Sequence, residues 1–161
     1  NDVGTALGVA GVNMPAPAVY EAISSGVTDG VFFPMETMYA FKIAELAKHT
    51  YSNPQGMYTT AFGLIMNSDS YDDLSDAHKA CVDKLTGVDM ARRVGTYWDE
   101  ADALGLEKFK EVGGKLTVAS AADQAYFAEK TAGIEAKVVA AASERGIDAA
   151  AALAYFRSQV K

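Results

Sequence analysis

The chain has few of the residues that staple small proteins or carry out nucleophilic chemistry. Its 161 residues include a single cysteine, Cys81, and only two histidines. One cysteine excludes an intrachain disulfide and is too few for a thiolate zinc site. A domain of this size buries roughly 70% of its unfolded surface, so neither staple is needed. Cysteine poverty is also compatible with an oxidising compartment.

Positive charge is also in short supply. Fourteen Lys and Arg residues stand against 21 Asp and Glu residues, which gives a formal net charge of −7. A surface of this sign repels phosphate backbones and anionic lipid headgroups, which argues against nucleic-acid and membrane-surface partners. No apolar run is long enough to span a bilayer. The chain opens on Asn1 without a basic and apolar leader, so we expect a removed leader or a fragment.

Short β-branched and aromatic segments predict strands. We assign them to residues 9–14, 31–33, 57–66 and 115–119, and the segment from Met57 to Met66 has the highest strand propensity. Helical segments separate them. A strand–helix alternation of this kind is typical of an α/β domain with a largely parallel sheet flanked by helices.

Apolar periodicity and capping residues define the intervening helices. The patterns predict helices over residues 2–7, from Pro15 to Gly26, 34–49, 75–85, 89–111, 120–145 and 148–161. Ser75 is the expected N-cap of one helix, and Ser120 with Asp123 forms a capping-box pattern at the start of another. Asp148 is the expected cap of the last helix. His49 and His78 are both expected near helix ends.

Catalytic and metal-binding signatures are weak throughout. His78 lies three residues before Cys81 on one predicted helix, a spacing that would suit a thiol and its base. However, cysteine is more often a small buried hydrophobe, and the histidines lack a metal-ligand spacing. The acidic cluster of Asp69, Asp72, Asp73 and Asp76 lacks the glycine and glutamate offsets of a calcium loop, and a solvated loop preceding a helix accounts for it. We therefore predict a chain that is not an enzyme and holds no metal or cofactor.

Strand ends are the more informative places, because open α/β sheets bind ligands beyond the carboxyl edges of their strands. These edges, together with the start of the strand at residue 57, give the ligand-binding candidates Ala16, Phe33, Glu36, Tyr58 and Thr60. A helix starting at Pro34 would attract anions, but Glu36 in its first turn would repel a second one. That end of the helix is expected to orient a ligand instead of neutralising it. Phe32 is interpreted as core, while Phe33 is a candidate for either core or cleft.

Several segments together carry a resemblance. The stretch Gly8–Ile23 (GVAGVNMPAPAVYEAI), followed by Gly26–Pro34 (GVTDGVFFP), resembles the solute-binding proteins of TRAP transporters. The later segments Leu64–Asn67, Met90–Arg93 and Trp98–Asp102 are similar to the same family. Each motif alone is weak, but their combination in this order is specific, and it spans essentially the whole chain.

The resemblance implies a periplasmic, two-lobed clamp of the type II fold that binds a small organic acid and delivers it to the membrane subunits of a TRAP transporter. This chain would be the C-terminal portion. The family's carboxylate-anchoring arginine would lie on a strand before the segment that matches Asn1, in an N-terminal half lost by proteolysis or present as another chain. Residues 1–56 and 115–161 would form mainly one lobe, residues 57–86 mainly the other, and residues 87–114 a long bridging helix.

The resemblance also gives roles to two candidates. Phe33 falls where the family often has an asparagine that contacts the ligand, which implies a smaller or more apolar ligand than a sugar acid. Ala16 falls where an aromatic contact is common. Two alternatives stay open: a small hydrolase or transferase using Cys81 and His78, and a non-catalytic interaction protein that dimerises through the long helix.

Overall fold

Helices dominate residues 2–159, the part of the chain that the computed structural model describes. The elements are α1 (Asp2–Ala6), a 3-10 turn (Ala16–Ala18), α2 (Val19–Ser24), α3 (Thr37–Ala40), α4 (Ile43–Leu46), β1 (His49–Ser52), α5 (Ser68–Asp72), α6 (Asp76–Leu85), α7 (Val88–Glu111), β2 (Lys115–Val118), α8 (Ala121–Ser143) and α9 (Ala149–Gln159). Among these residues, no helix has the length and apolarity needed to cross a bilayer.

Strands β1 and β2 pair in one two-stranded sheet. The amide of Lys115 donates to the carbonyl of Lys48 at 2.9 Å, and the amide of Ala119 donates to the carbonyl of Ser52 at 2.8 Å. Both partners advance by four residues in the same direction, so the pairing is parallel. The predicted parallel pairing with flanking helices is confirmed, and the strand predicted over residues 115–119 is present as β2.

The chain divides into two compact units. The first comprises Asn1–Asn13, Tyr51–Tyr58 and Val118–Lys161, and the second comprises Met14–Thr50 and Thr59–Thr117. The first unit contains α1, α8 and α9, and α1 packs on α8. The second contains the helices from α2 to α7. The assignment of residues to the lobes of a clamp stays a prediction.

The core of the second unit forms where α3 packs on α7 and α4 packs on α2 and α3. Ile43 and Phe109 are fully buried, and Val19, Met38 and Ala44 complete the cluster. Complete burial of a side chain of this size stabilises the fold by about 1.5–3 kcal/mol. The C-terminal part of α7, which contains Phe109, is therefore held against the short helix α3.

Capping residues fix helix starts where the sequence predicts them. The Ser75 side chain accepts from the His78 amide at 3.3 Å, and α6 follows. Ser120 and Asp123 make the predicted reciprocal capping box at the start of α8. Asp148 Oδ1 accepts from the Ala151 amide at 3.0 Å at the start of α9. The predicted end of that last helix at Lys161 lies outside the described residues.

Three predicted strands are wrong: residues 9–14, 31–33 and 57–66 form no regular element. In the segment from Met57 to Met66, Phe62, Leu64 and Ile65 are 71%, 80% and 91% exposed. High β-propensity describes a side chain that fits a pleated, half-buried surface. None of these three segments forms a strand ladder within residues 2–159.

The single helix predicted over residues 34–49 is also wrong. It is two short helices, α3 and α4, separated by Lys42, whose φ of 57° lies in the left-handed region. This conformation is uncommon for a residue with a side chain and breaks the helical hydrogen bonding. His49 consequently starts strand β1 and does not end a helix.

Candidate functional site

The loop of residues 31–36 leads into α3 in the second unit and contains two of the predicted ligand contacts. Its final turn is closed by local hydrogen bonds. The Thr37 hydroxyl donates to the Pro34 carbonyl at 2.7 Å, and the Met38 amide donates to the Met35 carbonyl at 3.1 Å. The turn is thus well defined, although the residues before it have no strand pairing.

The Asp102 side chain of helix α7 binds the backbone of this loop. The Glu36 amide donates to Asp102 Oδ1 at 2.7 Å, a charge-assisted bond. One turn further along α7, Gly105 is buried against the Met35 carbonyl group. A Cβ at this position would lie 2.9 Å from the Glu36 Cα, closer than side chains tolerate. Direct contact between the loop and α7 therefore depends on the absence of a side chain at Gly105.

Phe33 is half-buried and packs on the edge of the core. Its ring centroid lies 6.0 Å from that of Phe41, with the two ring planes tilted by 40°. Aromatic pairs in this range of separation contribute about 0.5–1.5 kcal/mol beyond burial. Phe32 is the more exposed of the two neighbouring rings, at 39%, so its interpretation as core is wrong. The alternation of side chains along the loop places Phe33, not Phe32, on the core.

The electrostatics around Glu36 disfavour an anion. Burial raises the pKa of the Glu36 carboxyl, and the nearby Asp102 charge raises the pKa further. Helix α3 has only four residues, and the Glu36 amide at its start is already bonded to a carboxylate. This agrees with the expectation that Glu36 would repel an anion at this end, and the role of this end in orienting a ligand stays a prediction.

The other three candidates lie elsewhere on the chain. Ala16 is half-buried at the start of the 3-10 turn, and Thr60 is exposed in the irregular segment of residues 57–66. Tyr58, 46% exposed, belongs to the first unit, whereas Ala16, Phe33, Glu36 and Thr60 belong to the second. The structure brings Phe33 and Glu36 together on one loop. The role of all five as ligand contacts stays a prediction.

Sequence reasoning missed the residues of α7 that touch this region. Asp102 ends the Trp98–Asp102 segment that carries the family resemblance, but nothing in its periodicity assigns it a partner. Gly105 gave a usable signal, because a glycine inside a helix costs about 1 kcal/mol and often has a packing reason. Trp98 stacks on Phe62 with centroids 4.6 Å apart and planes 27° apart. That contact joins α7 to the irregular segment of residues 57–66.

The thiol and imidazole proposed for catalysis are both exposed on α6. Within residues 2–159, no three or more His, Cys, Asp and Glu side chains are arranged to hold a metal ion. An open depression of about 350 Å³ lies in the first unit, whereas α6 belongs to the second. Its lining includes Gln55, Phe127, Thr131, Glu135 and Arg157.

Two arginines, Arg92 and Arg157, already have acidic partners. Arg92 Nη1 lies 3.4 Å from Asp89 Oδ1, with both side chains largely exposed. Arg157 pairs with Glu135 at the edge of the depression in the first unit. Exposed pairs of this kind contribute little to stability. They do, however, reduce the positive charge that either arginine offers to a ligand.

Comparison with known proteins places this geometry in a family. The family model described as "Bacterial extracellular solute-binding protein, family 7" matches residues 1–141. A TRAP periplasmic solute-binding protein from Bordetella bronchiseptica, solved with bound (R)-mandelate and (S)-mandelate, is 36% identical with a TM-score of 0.90. The match covers 98% of this chain and 50% of that one.

Two further solved structures extend the comparison. A marine metagenome TRAP solute-binding protein specific for aromatic acid ligands, in complex with 3-hydroxybenzoate, is 36% identical with a TM-score of 0.84, covering 92% of this chain and 47% of that one. A TRAP solute-binding protein from Rhodoferax ferrireducens, in complex with copurified benzoate, is 25% identical with a TM-score of 0.84, covering 98% and 51%. The chain spans about half the length of these relatives.

Proposed function

Because the chain belongs to family 7 of the bacterial extracellular solute-binding proteins, we propose that it supplies one side of a cleft for a small aromatic carboxylate. The captured acid is then handed to the membrane subunits of a TRAP transporter in the periplasm. The observation that carries the choice of ligand is the ring of Phe33, half-buried and backed by Phe41 at 6.0 Å. A ring backed in this way offers a flat apolar wall to another ring.

The charges of the loop support an orientation for the ligand. Glu36 and Asp102 are both acidic and lie beside the amide that α7 binds. A ligand carboxylate placed there would face two like charges. We therefore propose that the ring of the ligand packs on Phe33 and that its carboxylate points away from Glu36. The anchoring arginine expected from the family resemblance would then lie on the opposite wall.

The remaining parts of the cleft are proposed from the resemblance and from the length of the relatives. Residues 1–56 and 115–161 contribute mainly to one lobe, residues 57–86 to the other, and residues 87–114 bridge them. The half of the relatives that this chain does not span would complete the cleft and supply the arginine. Ala16, Tyr58 and Thr60 are the proposed additional contacts.

A non-catalytic role accords with the placement of the alternative catalytic pair. His78 and Cys81 are exposed on α6, whereas an activated thiol is normally held in an electropositive, partly enclosed site. Helix α7, the helix proposed for dimerisation, already buries Gly105 and Phe109 within its own unit. A Cys81→Ala variant is expected to bind ligand as the unmodified protein does.

The test is a ligand screen on the whole protein, including the half that this chain does not span. Benzoate, 3-hydroxybenzoate and (R)-mandelate are compared with gluconate, a polyhydroxylated acid, by thermal shift and then by calorimetry. A ligand that binds the folded state raises Tm by mass action. Stabilisation by the aromatic acids and not by gluconate is the expected result, and the reverse order would exclude an aromatic ligand.

Phe33 is tested by substitution in the same protein. Phe33→Ala should raise Kd about tenfold or more, because the apolar wall is lost. Phe156→Ala, at a half-exposed ring on α9, is the control and should leave Kd unchanged. If Phe33→Ala costs about 3–5 kcal/mol of stability with unchanged affinity, Phe33 is a core residue and not a ligand contact.

A further inference from the structure

We propose that Asp102 is a positioning residue for the ligand cleft, because its carboxylate holds the loop of residues 31–36 and thereby fixes the ring of Phe33. This inference rests on the proposed function and deepens it. The contact of Asp102 with the loop is the hydrogen bond that its carboxylate accepts from the Glu36 amide. Its effect on the ligand would therefore be exerted entirely through Phe33.

The bond from Glu36 to Asp102 is a tertiary contact, since the two residues are 66 positions apart. At 2.7 Å it has the length of a charge-assisted hydrogen bond. Asp102 is half-buried, so solvent screens this interaction less than at an exposed site. The bond therefore favours one position of a loop that has no strand pairing to fix it.

Gly105 supplies a second point of attachment, three residues after Asp102 and on the same face of α7. The Gly105 backbone packs against the Met35 carbonyl, with which a Cβ at this position would collide. One attachment point leaves a loop free to rotate about it, whereas two adjacent points fix its direction. Met35 and Glu36 are held in this way, and Phe33 lies immediately before them across Pro34.

Proline transmits this constraint along the backbone, because its φ is locked near −65°. The ring of Phe33 is also limited on its other side by Phe41. Binding sites need their contact groups held to about 0.5 Å, and supporting hydrogen bonds supply that precision. Asp102 has this supporting role for Phe33, and the placement of its acceptor oxygen contributes more to that role than the charge that strengthens the bond.

The experiment uses the whole protein and two probes, benzoate and (R)-mandelate. Asp102→Ala removes the acceptor, Asp102→Asn keeps an acceptor oxygen without the charge, and Asp99→Ala removes an exposed carboxylate one turn earlier on α7. Asp102→Glu, which keeps the charge but displaces the acceptor, provides a milder variant if Asp102→Ala does not fold. Calorimetry gives Kd for each probe, and hydrogen exchange gives the protection of the Glu36 amide.

Asp102→Ala is expected to raise Kd about tenfold and to accelerate exchange of the Glu36 amide. Asp102→Glu should have a smaller effect in the same direction, and Asp102→Asn and Asp99→Ala should stay within about twofold of the unmodified protein. The ratio of the two Kd values should also change in Asp102→Ala, because a displaced ring fits the two probes unequally. A uniform loss of folded protein would leave that ratio unchanged.

Two results would overturn the inference. The first is faster exchange at Glu36 with Kd unchanged in Asp102→Ala or Asp102→Glu, which would separate the loop from binding. The second is a loss of affinity in Asp102→Asn equal to that in Asp102→Ala, which would make charge the essential feature. A separate outcome is that the unmodified protein binds none of the three acids benzoate, (R)-mandelate and 3-hydroxybenzoate. That result refutes the proposed aromatic ligand before any variant is compared.

Discussion

Gly105 packs directly against the carbonyl group of Met35, so the long helix and the loop meet backbone to backbone. Helix propensity alone favours alanine over glycine at this position by about 1 kcal/mol. Tertiary packing reverses that preference, because a Cβ would lie 2.9 Å from the Glu36 Cα. The same helix contains Gly95, whose added Cβ would meet nothing within 4 Å.

These two glycines give a matched pair of variants. Gly105→Ala should destabilise the protein by about 1–3 kcal/mol, the usual cost of overpacking. Gly95→Ala should stabilise it by up to about 1 kcal/mol. Urea unfolding followed by circular dichroism measures both. Stabilisation by both substitutions would show that the loop does not touch α7 at Gly105.

Trp98, the only tryptophan in the chain, reports on its stack with Phe62. Phe62→Ala removes the ring that covers one face of the indole, so the emission of Trp98 should shift to longer wavelength as water reaches it. Tyr126→Ala, at a half-exposed ring on α8, is the control and should leave the spectrum unchanged. An unchanged spectrum in Phe62→Ala would mean that the stack does not form in solution.

The capping box at the start of α8 predicts an acid-sensitive contribution to stability. Hydrogen bonds from the Ser120 hydroxyl and then from its backbone amide hold the pKa of Asp123 below its ordinary 3.8. The ionised form is favoured by folding, so the stabilisation is present above pH 3.8 and is lost as pH falls through the lower pKa of the folded state. In Asp123→Asn, Tm should therefore depend less on pH in that range than in the unmodified protein.

The hydroxyl of Ser120 can be tested separately. Ser120→Ala removes the acceptor for the Asp123 amide, a bond of 3.2 Å, and should cost about 1 kcal/mol. Ser143→Ala, at the last residue of the same helix, is the control and should be neutral or slightly stabilising. Equal melting temperatures for the two variants would contradict a stabilising cap.

Glu36 should show the opposite dependence on pH. Burial, and next the charge of Asp102, raise its pKa above the ordinary 4.5, so folding favours the protonated form. Stability should fall as pH rises from below 4.5 through the higher pKa of the folded state. Glu36→Gln should remove this fall and raise Tm at neutral pH. Glu100→Gln, an exposed carboxylate of α7, should leave the profile unchanged, and a lower Tm in Glu36→Gln at neutral pH would refute the sign.

The sequence by itself determined the helices whose signals are local. Ser75, Ser120 and Asp148 cap α6, α8 and α9 as predicted, because an N-cap side chain bonds to an amide only two or three residues away. The long helix α7 was also predictable, since one apolar stripe runs along it. The family resemblance also rests on short sequence motifs in a fixed order, which can be recognised without knowledge of the fold.

Tertiary structure decided everything that depends on a distant partner. The segment from Met57 to Met66 has the residues of a strand but no strand to pair with among residues 2–159, and pairing, not propensity, makes a strand. Asp102 bonds to an amide 66 residues away, a partner that no spacing along α7 specifies. Gly105 lowers the helix propensity of its position, but it is a contact surface, because only the fold brings the Met35 carbonyl against it.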